Sequence, residues 1–118
     1  MRQPDNRALL LDMLLAAREA RALAEGLTRD GLMEDRVLFL ALQKLIENIG
    51  EAASRLSEGA RSKLPALPWK DIFGMRHRLV HDYMRVNLDR VWIVIATDLD
   101  PLIAEIEHQG ITPEPENE

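Results

Sequence analysis

The chain has 118 residues, the length of one domain, and no cysteine, which excludes a disulfide framework, a thiol nucleophile and a Cys-ligated zinc site. Hydrophobic residues make up 47% and aromatics only 4%, so Leu, Ile, Val, Ala and Met have to fill the core, and their Leu- and Ala-rich runs favour helix over sheet. A net charge of −5 argues against broad electrostatic coating of nucleic acid, yet residues 70–90 carry +2 and the rest of the chain −7.

The first ten residues, MRQPDNRALL, place charge and proline where a secretory signal needs an apolar core. The longest mostly apolar stretch, 8–17, holds Asp12 and is far too short to span a membrane. The chain therefore reads as a soluble, cytoplasmic protein with no membrane association. Asp5 or Asn6 can cap a first helix that runs to about Gly26, with Leu10, Leu14, Ala17 and Leu23 at helical spacing and Leu11 and Leu15 widening the stripe. Thr28, Arg29, Asp30 and Gly31 read as a turn. A second helix is expected over about 33–56, where Leu38, Leu42, Leu45, Ile49, Ala52 and Leu56 form a seam alternating steps of four and three. Gly50 within it costs roughly 1 kcal/mol relative to Ala, and such a glycine usually admits a neighbouring backbone.

Residues 57–63 can form a short helix before the prolines at 65 and 68 break the pattern. Pro68 suits the first turn of a helix carrying Trp69 to about His81. Residues 84–87 read as a loop, with Asn87 or Asp89 capping a last long helix built on Leu88, Trp92, Ile95, Leu99, Leu102 and Ile106. Pro101 should kink or loosen that helix. The architecture expected is all-α, a bundle of four main helices plus a short one, in a single domain over 1–111. An acidic, proline-bearing tail at 112–118 is expected to be disordered.

One segment concentrates chemistry. RHRLVHDY, residues 76–83, holds Arg76, His77, Arg78, His81 and Tyr83, the only tyrosine. Phosphodiester cleavage without a metal needs a fixed cation for the charge building on the phosphate and a group that moves protons near neutrality. Arginine supplies the first with a planar fork, histidine the second. On an ideal helix His77 and His81 share one face, whereas Arg76 and His81 lie about 140° apart. Either the helix ends near His81 or the pocket borrows groups from a second protomer. A two-fold dimer would bring together two histidines and two arginines, the acid and base that attack by a 2′-hydroxyl requires.

Over nearly its whole length the chain resembles the HepT-like branch of the HEPN superfamily. The resemblance rests on DNRALLLDML, IENIGEAASRLS, LPALPWKDIFGMRHRLVHDY and VWIVIATDLDPLIAEI. The family's hallmark is an arginine, a polar residue, three further positions and a histidine, often with tyrosine two residues on; Arg76, His77, His81 and Tyr83 match it. The polar position is frequently asparagine in relatives, so His77 is a variation. The resemblance implies a HEPN-type bundle and a homodimeric, metal-independent RNase toxin of a bacterial or archaeal type VII-like toxin–antitoxin pair. Arg76 and His81 would be catalytic, with His77 and Arg78 supporting or positioning RNA. The partner implied is a minimal nucleotidyltransferase antitoxin that neutralises the toxin by transferring AMP to Tyr83. No cofactor and no metal are implied.

Other readings compete. In isolation, Arg76 and His81 would fit a solvated helix face, and Tyr83 a half-buried packing residue. His77 and His81 could chelate zinc, although no third ligand stands out and His108 belongs to the last helix. Arg78, Arg85 and Arg90 read as surface charges; Glu47, Asn48 and Glu51 read as solvent-exposed or ion-paired, with a lesser prospect that one reaches the site. Trp69 and Trp92 read as core or dimer interface. The alternative functions are a non-catalytic helical module that binds nucleotide or docks a nucleotidyltransferase, and a structural dimerisation domain. Neither needs Arg76 and His81 together.

Overall fold

The computed structural model describes residues 5–65, 67, 69, 72 and 84–113, and among them every regular element is a helix. The first, α1, spans Asn6–Leu23, and the Asp5 carboxylate accepts the Ala8 amide at 3.1 Å. That bond satisfies one of the amides a helix start leaves without a partner. The helix unwinds through 24–26, where Gly26 takes a φ of +74°, a conformation open to glycine at little steric cost. Leu10, Met13, Leu14, Ala17 and Ala20 form its buried face. Leu23, expected in that stripe, is exposed instead, and so is Leu15.

The expected turn at Thr28 is in fact the start of a short helix, α2, over Arg29–Glu34. Thr28 caps it, its hydroxyl accepting the Gly31 amide at 2.9 Å, and Leu32 is driven fully into the core. One residue later Asp35 caps α3, Arg36–Arg55, by accepting the Leu38 amide at 3.0 Å. The buried face of α3 is Phe39, Leu42, Ile46, Ile49, Gly50, Ala52 and Ala53, with Leu38 and Leu45 only half-buried. The seam is thus rotated by part of a turn from the one expected. Leu56 follows, buried, and Ser57 caps α4, Glu58–Ser62, through the Ala60 amide at 3.1 Å.

Trp69 and Ile72 are helical, and the rest of the helix expected over 69–81 lies outside the described residues. Residues 84–87, expected as a loop, are instead the first turn of α5, Met84–Ile93. Asp89 therefore sits within the helix rather than capping it. The helix then widens into a π-helical turn, Val94–Asp98, and resumes as α6, Leu99–His108. The Leu99 amide donates to the Val94 carbonyl five residues back, and the Thr97 hydroxyl donates to Ile93 at 2.7 Å. Pro101 explains the loosening: it has no N–H, and its ring clashes with the carbonyl four residues earlier, here Thr97.

In the bundle α1 packs along α3 and α6, while α2 and α5 pack on α3 and on each other. The core runs through all of them, from Met13 and Leu14 through Leu32, Leu42 and Leu64 to Val91, Leu99 and Ile106. Asn6 ties the start of α1 to the start of α4. Its side-chain amide donates to the Ser57 hydroxyl, and its carbonyl oxygen accepts the Ser57 amide, each at 3.0 Å. Ile111 is buried beyond α6, and of the tail expected at 112–118, residues 114–118 lie outside the described residues.

Candidate functional site

Arg76, His77, Arg78, His81 and Tyr83 all lie outside the described residues. Ahead of them Leu64, Leu67, Trp69 and Ile72 are described, and after them the chain from Met84 onward, and both sets of residues are tied to the core. On the approach, Leu64, Leu67 and Ile72 are buried. The indole N–H of half-buried Trp69 donates to the Leu64 carbonyl at 2.9 Å, and the ring packs against the core. On the departure, Met84 opens α5 directly after Tyr83, and Leu88 and Val91 sink its inner face into the bundle.

A third fastening crosses from α2 to α5. Both Nε and an Nη of Arg29 donate to Oδ1 of Asp89, the Nε bond at 3.1 Å. This pair was not singled out in the sequence, where Arg29 belonged to a turn and Asp89 to a cap. A signal was nevertheless present. Arginine in the first turn of a helix faces the positive end of the macrodipole, and aspartate inside a helix is a poor helix former.

Among the residues weighed as helpers, Asn48 and Glu51 open onto a groove between α1 and α3, lined also by Asp12, Glu19 and Arg55. Glu51 is paired there with Arg55 at 3.7 Å, one turn along the same helix. Glu47 is half-buried, and Arg90 is partly exposed on α5. His108 is exposed and is the last residue of α6. Among the described residues no three His, Asp or Glu side chains converge as a ligand set would, and no helix is long and apolar enough to cross a membrane. Trp92 packs half-buried against the core, as Trp69 does.

A small all-α bundle with a histidine and arginine motif carried just ahead of α5 defines a HEPN-type domain. Residues 13–109 match the family model described as "Ribonuclease HepT-like", a span that includes the whole of 76–83. The chain belongs to this HepT-like family of the HEPN superfamily, in which ribonuclease is the family-level activity. It is 31% identical over 107 residues to a "Putative RNase" of Methanocaldococcus jannaschii, covering 91% of this chain and 88% of that one. It is 34% identical over 83 residues to a "Putative RNase" of Caldanaerobacter subterraneus subsp. tengcongensis, covering 70% and 74%. A third relative, "Probable ribonuclease HepT" of Thermococcus cleftensis, is 29% identical over 100 residues, covering 81% of this chain and 91% of its own. No solved structure matches the chain.

Proposed function

We propose that the chain is a cytoplasmic, metal-independent endoribonuclease, the toxin of a type VII-like toxin–antitoxin pair. The observation that carries this reading is the spacing of Arg76, His81 and Tyr83 inside a family match that spans 13–109. The active form is a homodimer in which two copies of 76–83 face one cleft. His81 of one protomer takes the proton from a ribose 2′-hydroxyl, whose oxygen attacks the adjacent phosphorus. The P–O5′ bond breaks, and His81 of the other protomer returns a proton to the departing 5′-oxygen. The products are a 2′,3′-cyclic phosphate and a 5′-hydroxyl. Arg76 holds the charge that gathers on the phosphoryl oxygens, while His77 and Arg78 position the RNA strand.

Control acts on the same segment. A nucleotidyltransferase antitoxin joins the Tyr83 phenolic oxygen to the α-phosphorus of ATP, releasing pyrophosphate. The AMP adds bulk and negative charge two residues from His81, where it competes for the cations that RNA needs. The test is RNA cleavage in EDTA. His81→Ala and Arg76→Ala should each lose on the order of 10²-fold or more, the usual scale for an acid–base group and for an oxyanion stabiliser. Variants that keep the parent's rate would remove the motif from the chemistry.

A further inference from the structure

We infer that Arg29 and Asp89 form a positioning clamp for the 76–83 segment, an inference that rests on the ribonuclease reading of that segment. Neither residue is where local preference would put it. Arg29 opens α2, the end of a helix that favours anions, and Asp89 interrupts the middle of α5. Two side chains at locally unfavourable positions that meet each other mark a tertiary requirement. The fork of Arg29 closes on one oxygen of Asp89 through two nitrogens. The grip resists both rotation of α5 about its axis and sliding along it.

Position gives the clamp its target. Asp89 stands between Leu88 and Val91, which bury the inner face of α5; that apolar contact is non-directional, and the ion pair beside it adds a directional hold. Tyr83 directly precedes the first residue of that helix, and His81 is two residues earlier. The setting of α5 therefore bears on a motif bonded to its first residue, and misplacement of a catalytic group by about 1 Å can cost ~10²-fold in rate. Stability responds far less. The side chains of the pair are 40% and 50% exposed, and ion pairs so open to solvent contribute little to the folded state. Two other cross-helix pairs, Arg18 with Glu107 and Arg21 with Asp100, join α1 to α6 and do not involve α5.

The experiment compares Asp89→Asn, Arg29→Gln and the swapped pair Arg29→Asp with Asp89→Arg, using Asp100→Asn as control. Asp89→Asn keeps the shape, removes a negative charge and so leaves RNA attraction no weaker. It should lower kcat about ten-fold or more with KM changed less than about two-fold and an unchanged melting temperature. The swapped pair should recover most of the loss, and Asp100→Asn should cleave like the parent. A kcat within two-fold of the parent in Asp89→Asn, or a swapped pair no better than the single variants, overturns the clamp. A second readout needs no activity: the imidazole resonances of His77 and His81 should move in Asp89→Asn while that of His108 stays. No movement overturns the clamp on its own terms. A parent that cleaves no RNA while those resonances move would sink the ribonuclease reading and leave the clamp standing.

Discussion

Leu14 and Leu15 are neighbours in α1 with the same side chain and the same helix propensity, and the fold sends them in different directions. Leu14 is 0% exposed within the core, whereas Leu15 is 45% exposed at the rim of the groove between α1 and α3. Truncating Leu14 to alanine removes a fully buried isobutyl group and leaves a cavity that the helices close only partly. The cost for such a site is about 2–5 kcal/mol, and the absence of any solvent contact puts this one in the upper half of that range. Truncating Leu15 forfeits only the covered part of its surface and opens no enclosed void, so the loss should be about 1 kcal/mol or less. Urea unfolding followed by circular dichroism would separate them. With a denaturant slope of roughly 1–3 kcal/mol per molar for a small domain, Leu14→Ala should move the midpoint by about 1–5 M, and Leu15→Ala, at the same slope, by several-fold less. Equal shifts, or the reverse order, would mean that α1 presents another face to α3 and α6, and the register of the bundle would be wrong.

Three further outcomes follow from the same account. Light scattering at micromolar concentration should give about twice 13.4 kDa, and a strict monomer that still cleaves RNA would end the composite-cleft mechanism. Co-expression with the cognate nucleotidyltransferase should add AMP units to the peptide holding Tyr83. Tyr83→Phe should fold, cleave and escape neutralisation, whereas full neutralisation of that variant, with no adduct on the parent, would mean control by simple binding. Ser57→Ala should cost about 1–2 kcal/mol in urea unfolding, because it removes the cap of α4 and the acceptor of the Asn6 amide together. A cost near zero would mean that Asn6 and the Ala60 amide find other partners.

The local chemistry of helix ends was the most legible part of the sequence. Asp5 caps where its side chain predicts, a short helix forms within 57–63, Gly26 stops α1, and Pro101 loosens the last helix. What escaped was tertiary. In α3 the stripe of Leu38 and Leu45 competes with that of Phe39, Ile46 and Ala53, while Leu42, Ile49, Ala52 and Leu56 belong to both. Only packing against α1 decides between two faces so nearly equal in hydrophobicity. Thr28 to Gly31 carries turn residues, and the segment becomes helical because Leu32 has a core to enter. Asp89 resembled a cap because its partner, Arg29, lies sixty residues earlier in the chain. Spacing and residue type single out 76–83, which lies outside the described residues, and the structure describes anchors on both sides of it: Ile72 and Trp69 before, Leu88, Asp89 and Val91 after.

The most direct test of the central claim is the chemistry of the RNA ends. The purified chain, in excess EDTA, should cut a labelled oligoribonucleotide to fragments bearing a 2′,3′-cyclic phosphate (or its hydrolysis product) and a 5′-hydroxyl. The same oligonucleotide with a 2′-deoxy residue at the cut position should stay intact there, because the attacking hydroxyl is missing. Fragments with a 5′-phosphate and a 3′-hydroxyl, formed only when a divalent ion is restored, would contradict the account and make His77 and His81 metal ligands instead.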